Sequence, residues 1–329
     1  MNTALKKIKL QTEIILNDNT SPLALLNACN NLFDLFTELT HLNAEKNANR
    51  ETINTANGDA IGTIWAAMCL KDTIRTKQFL KGLHGAITDK LAEKNHLPVR
   101  ILYAGTGPFA TLAIPMMTLF SYEDISFTFL EINNETINHL KATIEALGVE
   151  NYIENIIQCD ASEYQLEETN YDIFLTETMQ NSLRKEPQVP IAINFMQQLP
   201  SGTIMIPEKI VVKATLNNLG KEADEFSKES YLAPLLLEEL IQFDKTFIHN
   251  YNKHHSFPFI ETSFPETGKD NYHDICLVTE ITTYKDNLIQ YKESGLTMPE
   301  KIADFHSGYK KIDFQYELGN DPGFRTTIR

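Results

Sequence analysis

The chain has 329 residues, 42% hydrophobic and 22% charged, which suffices for about two domains with buried cores. Its 29 Lys and Arg against 44 Asp and Glu give a net charge of −15. This balance argues against a dedicated nucleic-acid-binding protein, which needs basic surface to replace phosphate counterions, but it suits a cationic substrate. We find neither an apolar run of membrane-spanning length nor the apolar core of a signal peptide, and we expect a cytoplasmic protein that does not contact membranes.

The cysteines and paired histidines do not predict a metal site. The four cysteines lie far apart in the chain and form no CxxC pair, so we expect reduced thiols rather than a disulfide framework or a structural zinc. His254-His255 has no carboxylate or cysteine at ligand spacing. We therefore assign no metal.

Residues 1–97 are predicted to form a helical cap. From Pro22 to Leu42, apolar residues recur at spacings of three and four, which is typical of an amphipathic helix. The polar, turn-rich stretch from Asn43 to Asp59 is predicted to be a loop. A second helical stretch follows from Ile61 to Leu91.

Residues 98–207 show strands that alternate with helices, which predicts βαβ units and a parallel sheet of the α/β class. The predicted strands are Val99–Tyr103, Ile125–Leu130, Ile153–Gln158 and Tyr171–Leu175. Of the three predicted helices, the first ends near Phe120, and the other two span Asn134–Leu147 and Val189–Gln198.

Residues 208–329 are predicted to form a β-rich, barrel-like domain for substrate binding or dimerisation. Strand patterns occur at Ile210–Leu216, Ile275–Tyr284 and Lys311–Leu318. Between residues 221 and 252, apolar side chains from Tyr231 to Ile241 predict a helical insert. Packing against its own domain, a lid over the acceptor and a dimer arm are all open interpretations of this insert.

A glycine-rich turn follows the first predicted strand, in Tyr103-Ala104-Gly105-Thr106-Gly107. Glycines there allow a sharp turn and a close approach to a ligand, and the next helix would offer backbone amides. The pattern alone fits a dinucleotide or S-adenosylmethionine.

Two acidic residues at the ends of the next strands narrow this choice. Glu131 lies 24 positions past Gly107, where a carboxylate can accept both ribose hydroxyls. Asp160, followed by Ala161, is placed to accept from an adenine amino group. The alternative is that both acids cap helices. Together with the glycines they resemble the class I S-adenosylmethionine-dependent methyltransferases, which usually carry an acid where Tyr103 stands.

The segment Leu70–Thr76 resembles the one that protein arginine methyltransferases place over their cofactor. The resemblance implies that Arg75 grips the methionine carboxylate of the cofactor and that Asp72 helps to orient it. A solvated charge pair between Asp72 and Arg75, three positions apart, is the alternative.

Glu177 and Glu186, nine positions apart after a predicted strand, resemble the double-glutamate loop of the same family. The resemblance implies an N-methyltransferase in which both carboxylates orient a guanidinium or amine, and it makes a homodimer possible. The family also carries tyrosines shortly before the Leu70–Thr76 segment and a Thr-His-Trp loop that helps to close the acceptor site. Because both are missing here, we favour a free arginine-like metabolite slightly over an arginine-containing peptide. The alternatives are an oxygen or carbon acceptor with Glu177 as general base, and a cofactor-binding partner without activity.

Overall fold

The computed structural model describes residues 2–93, 97–222, 232–266, 268–269 and 271–329, without the side chains of residues 221, 222, 252 and 253. Within these ranges, no helix is both long enough and apolar enough to cross a membrane. All four cysteines are free thiols.

The N-terminal segment is mainly helical, and its first helices begin at clear capping residues. Ser21 accepts from the Ala24 amide and is followed by Pro22, a combination that favours a helix start. The buried face of this helix includes Phe36, which stacks on Phe109 of the central segment with ring centroids 5.2 Å apart. The elements are α1 (Thr3–Leu16), α2 (Pro22–Thr40), β1 (Ile53–Thr55), β2 (Gly58–Ala60), α3 (Thr63–Met68) and α4 (Thr73–Glu93).

The central segment is a five-stranded parallel sheet with strand order β5-β4-β3-β6-β7. The first strand, β3, lies in the middle of the sheet. β4 and β5 follow on one side of it, and β6 and β7 follow on the other side. The strand order therefore reverses between β3 and β6, which is where open α/β sheets bind ligands. The elements are β3 (Val99–Ala104), α5 (Ala113–Met117), β4 (Ile125–Glu131), α6 (Asn134–Leu147), β5 (Ile153–Gln158), β6 (Ile173–Thr176), α7 (Gln188–Gln198) and β7 (Ile204–Ile206).

The C-terminal segment consists of two antiparallel sheets. The larger has the order β12-β11-β8-β9, with β13 also paired to β11, and the smaller has the order β10-β14-β15. The elements are β8 (Lys209–Asn217), α8 (Leu219–Glu222), β9 (Leu235–Asp244), α9 (Lys245–His254), β10 (Phe259–Ser263), β11 (Asp274–Tyr284), β12 (Asn287–Ile289), β13 (Glu300–Asp304), β14 (Lys311–Glu317) and β15 (Gly323–Ile328).

The sequence predicts a helical insert over residues 221–252, but this prediction is wrong for β9, which is a ten-residue strand paired with β8. Two bulges explain the error. The pairing with β8 passes over Leu237 and Leu240, so each adds an extra residue to β9. An extra residue shifts which side chains face the core, and the apolar spacing then imitates a helix. A helix is found at α9, whereas Tyr231 lies outside the described residues.

Helix α4 joins the two sheet systems. The Thr283 hydroxyl on β11 donates to the Gln78 carbonyl oxygen at 2.8 Å, and the Tyr284 hydroxyl donates to Asp89 at 2.7 Å. At Gly82 a Cβ atom would lie 2.6 Å from the Thr283 hydroxyl oxygen, so only glycine allows this approach. These contacts hold α4, whose first turn carries Arg75, against β11, and α4 also packs against β3, β6 and β7 of the parallel sheet.

Candidate functional site

A cleft of about 1010 Å³, including its open mouth, lies at the carboxyl ends of the parallel strands. Parallel pairing explains its position, because the register aligns the last residues of β3 with those of β4 and β6. Nine of the eleven predicted site residues line this cleft. They are Arg75, Tyr103, Gly105, Gly107, Glu131, Asp160, Ala161, Glu177 and Glu186.

The remaining two predicted residues, Asp72 and Ala104, are not among the lining residues of the cleft. Ala104 is fully buried at the end of β3. One Asp72 oxygen accepts from the Arg75 amide at 3.3 Å, and the other accepts from Ser294 at 2.6 Å and from Gly295 at 2.8 Å. The side chain of Asp72 thus ties the start of α4 to a turn of the C-terminal segment.

The glycine-rich turn has the left-handed backbone that its sequence predicts, with φ of 76° at Gly105 and 63° at Gly107. At Gly105, however, a Cβ atom would collide with the Thr178 side chain of the neighbouring strand end. The absence of a side chain at this position is therefore required by packing within the protein. Thr106 between the glycines is 2% exposed, and its hydroxyl has no hydrogen-bond partner among the described residues.

Glu131 is bound by backbone amides and is not a helix cap. Its Oε1 accepts from Ile132 and Asn133 at 2.9 and 3.0 Å, and its Oε2 accepts from Gly107 at 3.2 Å. Helix α6 is capped instead by the Asn133 side chain. Burial raises the pKa of Glu131, and the three amide bonds oppose that rise. A carboxylate has about four lone-pair sites, so Glu131 keeps capacity for a ligand.

Asp160 makes a local contact of the kind that the capping alternative expects. Its Oδ1 accepts from the Ser162 amide at 2.9 Å and from the Ser162 hydroxyl at 2.6 Å, which closes the turn after β5. Asp160 and Ala161 both line the cleft beside Glu131. That Asp160 faces an adenine stays a prediction.

The guanidinium of Arg75 forms an ion pair with Glu177 and not with Asp72. Both side chains are nearly buried, at 13% and 12% exposure. The Oε1 atom of Glu177 is buried without a hydrogen-bond partner in the described parts of the chain. A buried carboxylate oxygen without a partner costs free energy, so this atom is suited to accept from a ligand.

Glu186 lies in the same cleft and is only 8% exposed. Burial and the neighbouring charge of Glu177 raise the pKa of Glu186 to about 7, although Arg75 and a hydrogen bond with Gln180 oppose this rise. Burial also raises the pKa of Glu177, against the opposing effect of Arg75. The two glutamates therefore form a buried acidic pair whose charge Arg75 balances only in part.

The loop that carries Glu186 is held in an unfavourable backbone conformation. Leu183 and Lys185 have φ of 55° and 63°, a region that costs side-chain-bearing residues free energy. The C-terminal segment fixes it, since the Tyr316 hydroxyl donates to the Leu183 carbonyl oxygen at 2.6 Å and the Lys185 amide donates to that of Pro322 at 2.8 Å. The position of Glu186 thus depends on the antiparallel sheets.

The hairpin β1–β2 lines the cleft, in a stretch that the sequence predicts to be a loop. Its Asp59 amide donates to the Lys185 carbonyl oxygen at 2.8 Å, and the Asn57 side chain donates to the Ser162 hydroxyl at 3.0 Å. It therefore bridges the two ends of the cleft. The Asn57-Gly58 pair, typical of tight turns, is the signal that could have revealed it.

No protein-family model and no curated protein matches the chain, whereas solved structures do. One is a Trypanosoma brucei PRMT1 enzyme–prozyme heterotetrameric complex with AdoHcy, with a TM-score of 0.53 and 14% identity over 79% of this chain and 91% of that chain. Another is Arabidopsis thaliana protein arginine methyltransferase 10 in an open conformation, with a TM-score of 0.50 and 11% identity over 79% and 96%. These similarities confirm the expected fold, in which a parallel α/β sheet is followed by an antiparallel β-rich region.

Proposed function

We propose that this protein is an S-adenosylmethionine-dependent methyltransferase that acts on a guanidino or amine nitrogen. The observation that carries the proposal is the buried pair Glu177 and Glu186 beside the glycine-rich turn, in which Oε1 of Glu177 has no partner among the residues that the structure describes. The fold adds support, because both similar structures are arginine methyltransferases and one contains AdoHcy.

The cleft has polar groups that fit S-adenosylmethionine. Thr106 offers a buried hydroxyl that has no partner within the described ranges of the chain. Glu131 keeps lone pairs that can accept from ribose hydroxyls. Asp160 would face the adenine, and Arg75 would bind the methionine carboxylate. Tyr103 forms a buried wall of the cleft. Asp72 would act only indirectly, by fixing the helix that carries Arg75.

The two glutamates would orient the acceptor and receive its proton. The bound cofactor supplies an electrophilic sulfonium methyl group. Glu177 and Glu186 would hold a guanidinium through charge-assisted hydrogen bonds and keep its positive charge away from the reacting nitrogen. That nitrogen loses one proton as it gains the methyl group, and a Glu186 carboxylate with a pKa of about 7 can accept it near neutral pH.

A second candidate is methyl transfer to an oxygen nucleophile with Glu186 as general base. The pKa of about 7 favours this role for Glu186. Glu177 is a poorer base because it is already paired with Arg75.

Ligand binding and an acceptor panel test the proposal. Calorimetry should show binding of S-adenosylhomocysteine and none of NAD, and the reverse result would end the methyltransferase proposal. Labelled cofactor should transfer its methyl group to arginine, arginine-containing peptides or amines, whereas transfer only to hydroxyl compounds would support the second candidate. Cofactor binding without any turnover would support a partner without activity.

A pair of variants tests the role of the glutamates. Glu177→Gln should abolish turnover while the affinity for S-adenosylhomocysteine stays within a few-fold. The matched control is Glu163→Gln, at a carboxylate that accepts from Asn57 at 3.2 Å outside the cleft lining, and it should keep full activity. Unchanged turnover in Glu177→Gln would remove this residue from the mechanism.

A further inference from the structure

The hairpin β1–β2 brings a third carboxylate, Asp59, to the end of the cleft that contains the two glutamates. Asp59 lines the cleft and is half-buried. Its amide donates to the carbonyl oxygen of Lys185, the residue directly before Glu186. Its negative charge contributes to the raised pKa of Glu186, so the two carboxylates are close enough to repel each other.

The position of Asp59 is fixed on both sides of the hairpin. Across the strand pair, the Asn54 side chain donates to Asp59 Oδ1 at 2.5 Å, and the two residues are register partners. A Cβ atom at the preceding Gly58 would lie 2.6 Å from the Lys185 carbonyl oxygen, so the hairpin rests directly on the loop that carries Glu186. Asp59 is therefore held at a set place beside Glu186.

The described residues that line the cleft provide no basic side chain to pair with Asp59. Arg75 is the single Lys or Arg side chain among the described residues that line the cleft, and it pairs with Glu177. A bound guanidinium at the two glutamates would supply one positive charge. Asp59 would then remain in the cleft as a carboxylate that a second positive group of the ligand could bind.

On the basis of the proposed function, we propose that Asp59 is a specificity-determining residue that binds a second cationic group of the acceptor. The preferred substrate is then a guanidine that also carries an ammonium or guanidinium group. This group can belong to a small dicationic metabolite or to a basic residue next to the target arginine in a peptide. Both sources share the same chemistry at Asp59.

The experiment compares agmatine, which has a guanidinium and an ammonium group, with n-butylguanidine, which has the guanidinium alone. For the wild type we expect kcat/KM to favour agmatine by about fivefold or more, as for a partly buried charge pair, and less so at high salt. In Asp59→Asn, which keeps an oxygen for Asn54, the ratio should fall to about one. The matched control Glu163→Gln removes a charge near the hairpin and should keep the wild-type ratio.

The outcomes separate this inference from the proposed function. Equal ratios in wild type and Asp59→Asn, or no preference for agmatine in the wild type, overturn the role of Asp59 and leave N-methylation standing. If neither guanidine, no arginine-containing peptide and no amine is methylated, or bound by the S-adenosylhomocysteine complex in calorimetry, both proposals fall. Peptides whose arginine is flanked by lysine or by alanine then distinguish the two sources. A lysine preference that is lost in Asp59→Asn identifies a peptide acceptor.

Discussion

Glu186→Gln should make the protein more stable at alkaline pH. Burial raises the pKa of Glu186 from an ordinary 4.5 to about 7, so the folded chain binds this proton more tightly than the unfolded chain does. The stability from the neutral acid is complete below pH 4.5 and is lost as the pH rises through 7. The gap between the two pKa values corresponds to a loss of at most about 3 kcal/mol in the free energy of unfolding of the wild type. About 2 kcal/mol of this loss falls between pH 5.5 and 8.

Urea unfolding of the ligand-free protein at pH 5.5 and pH 8 measures this effect. The free energy of unfolding of Glu186→Gln minus that of the wild type should be larger at pH 8 by about 2 kcal/mol. Taking this difference cancels every other titrating group that the substitution leaves unchanged. Gln can still accept from Gln180, so the local hydrogen bond is kept. The same difference at both pH values would refute the assignment of Glu186 as a buried, destabilising carboxylate.

Two further substitutions test the packing that shapes the cleft. Gly105→Ala should lower the free energy of unfolding by about 2 kcal/mol or more, because φ at this position is 76° and the new Cβ atom would collide with Thr178. Adding Thr178→Ser to the same chain should restore only part of this loss. Full stability in Gly105→Ala alone would contradict the packing argument. Tyr316→Phe should cost about 1–2 kcal/mol in urea unfolding, because the buried Leu183 carbonyl oxygen loses its donor; an unchanged value would mean that this bond does not hold the loop.

The sequence predicts the central sheet well because its signals are local. β4 is buried along nearly its whole length, so its apolar run is unbroken, and α6 and β5 have the predicted bounds. In the C-terminal segment β8 and β11 are long and pair with each other without a register shift, and both are predicted. β9 is missed because its bulges break the two-residue period on which strand prediction depends.

In the candidate site, too, the sequence predicts the features with local signals and misses the contacts between distant segments. Glu131 ends β4, whereas Asp160 and Glu177 follow the ends of β5 and β6. Parallel strands bring such positions to one edge of the sheet, so their convergence could be predicted. The pairing of Arg75 with Glu177 could not, because it joins side chains 102 positions apart. The same holds for the bond between Asp72 and Ser294, 222 positions apart. Such contacts are set by tertiary packing and leave no period or spacing in the chain.

Three segments that are distant in the sequence contact the strained loop that carries Glu186. A buried carboxylate with a raised pKa repels its neighbours and would move towards solvent if its loop were free. The hairpin holds Lys185 from one side, while Tyr316 and Pro322 hold the loop from the C-terminal segment. The favourable contacts of these segments therefore offset an unfavourable charge placement that a cationic ligand would relieve.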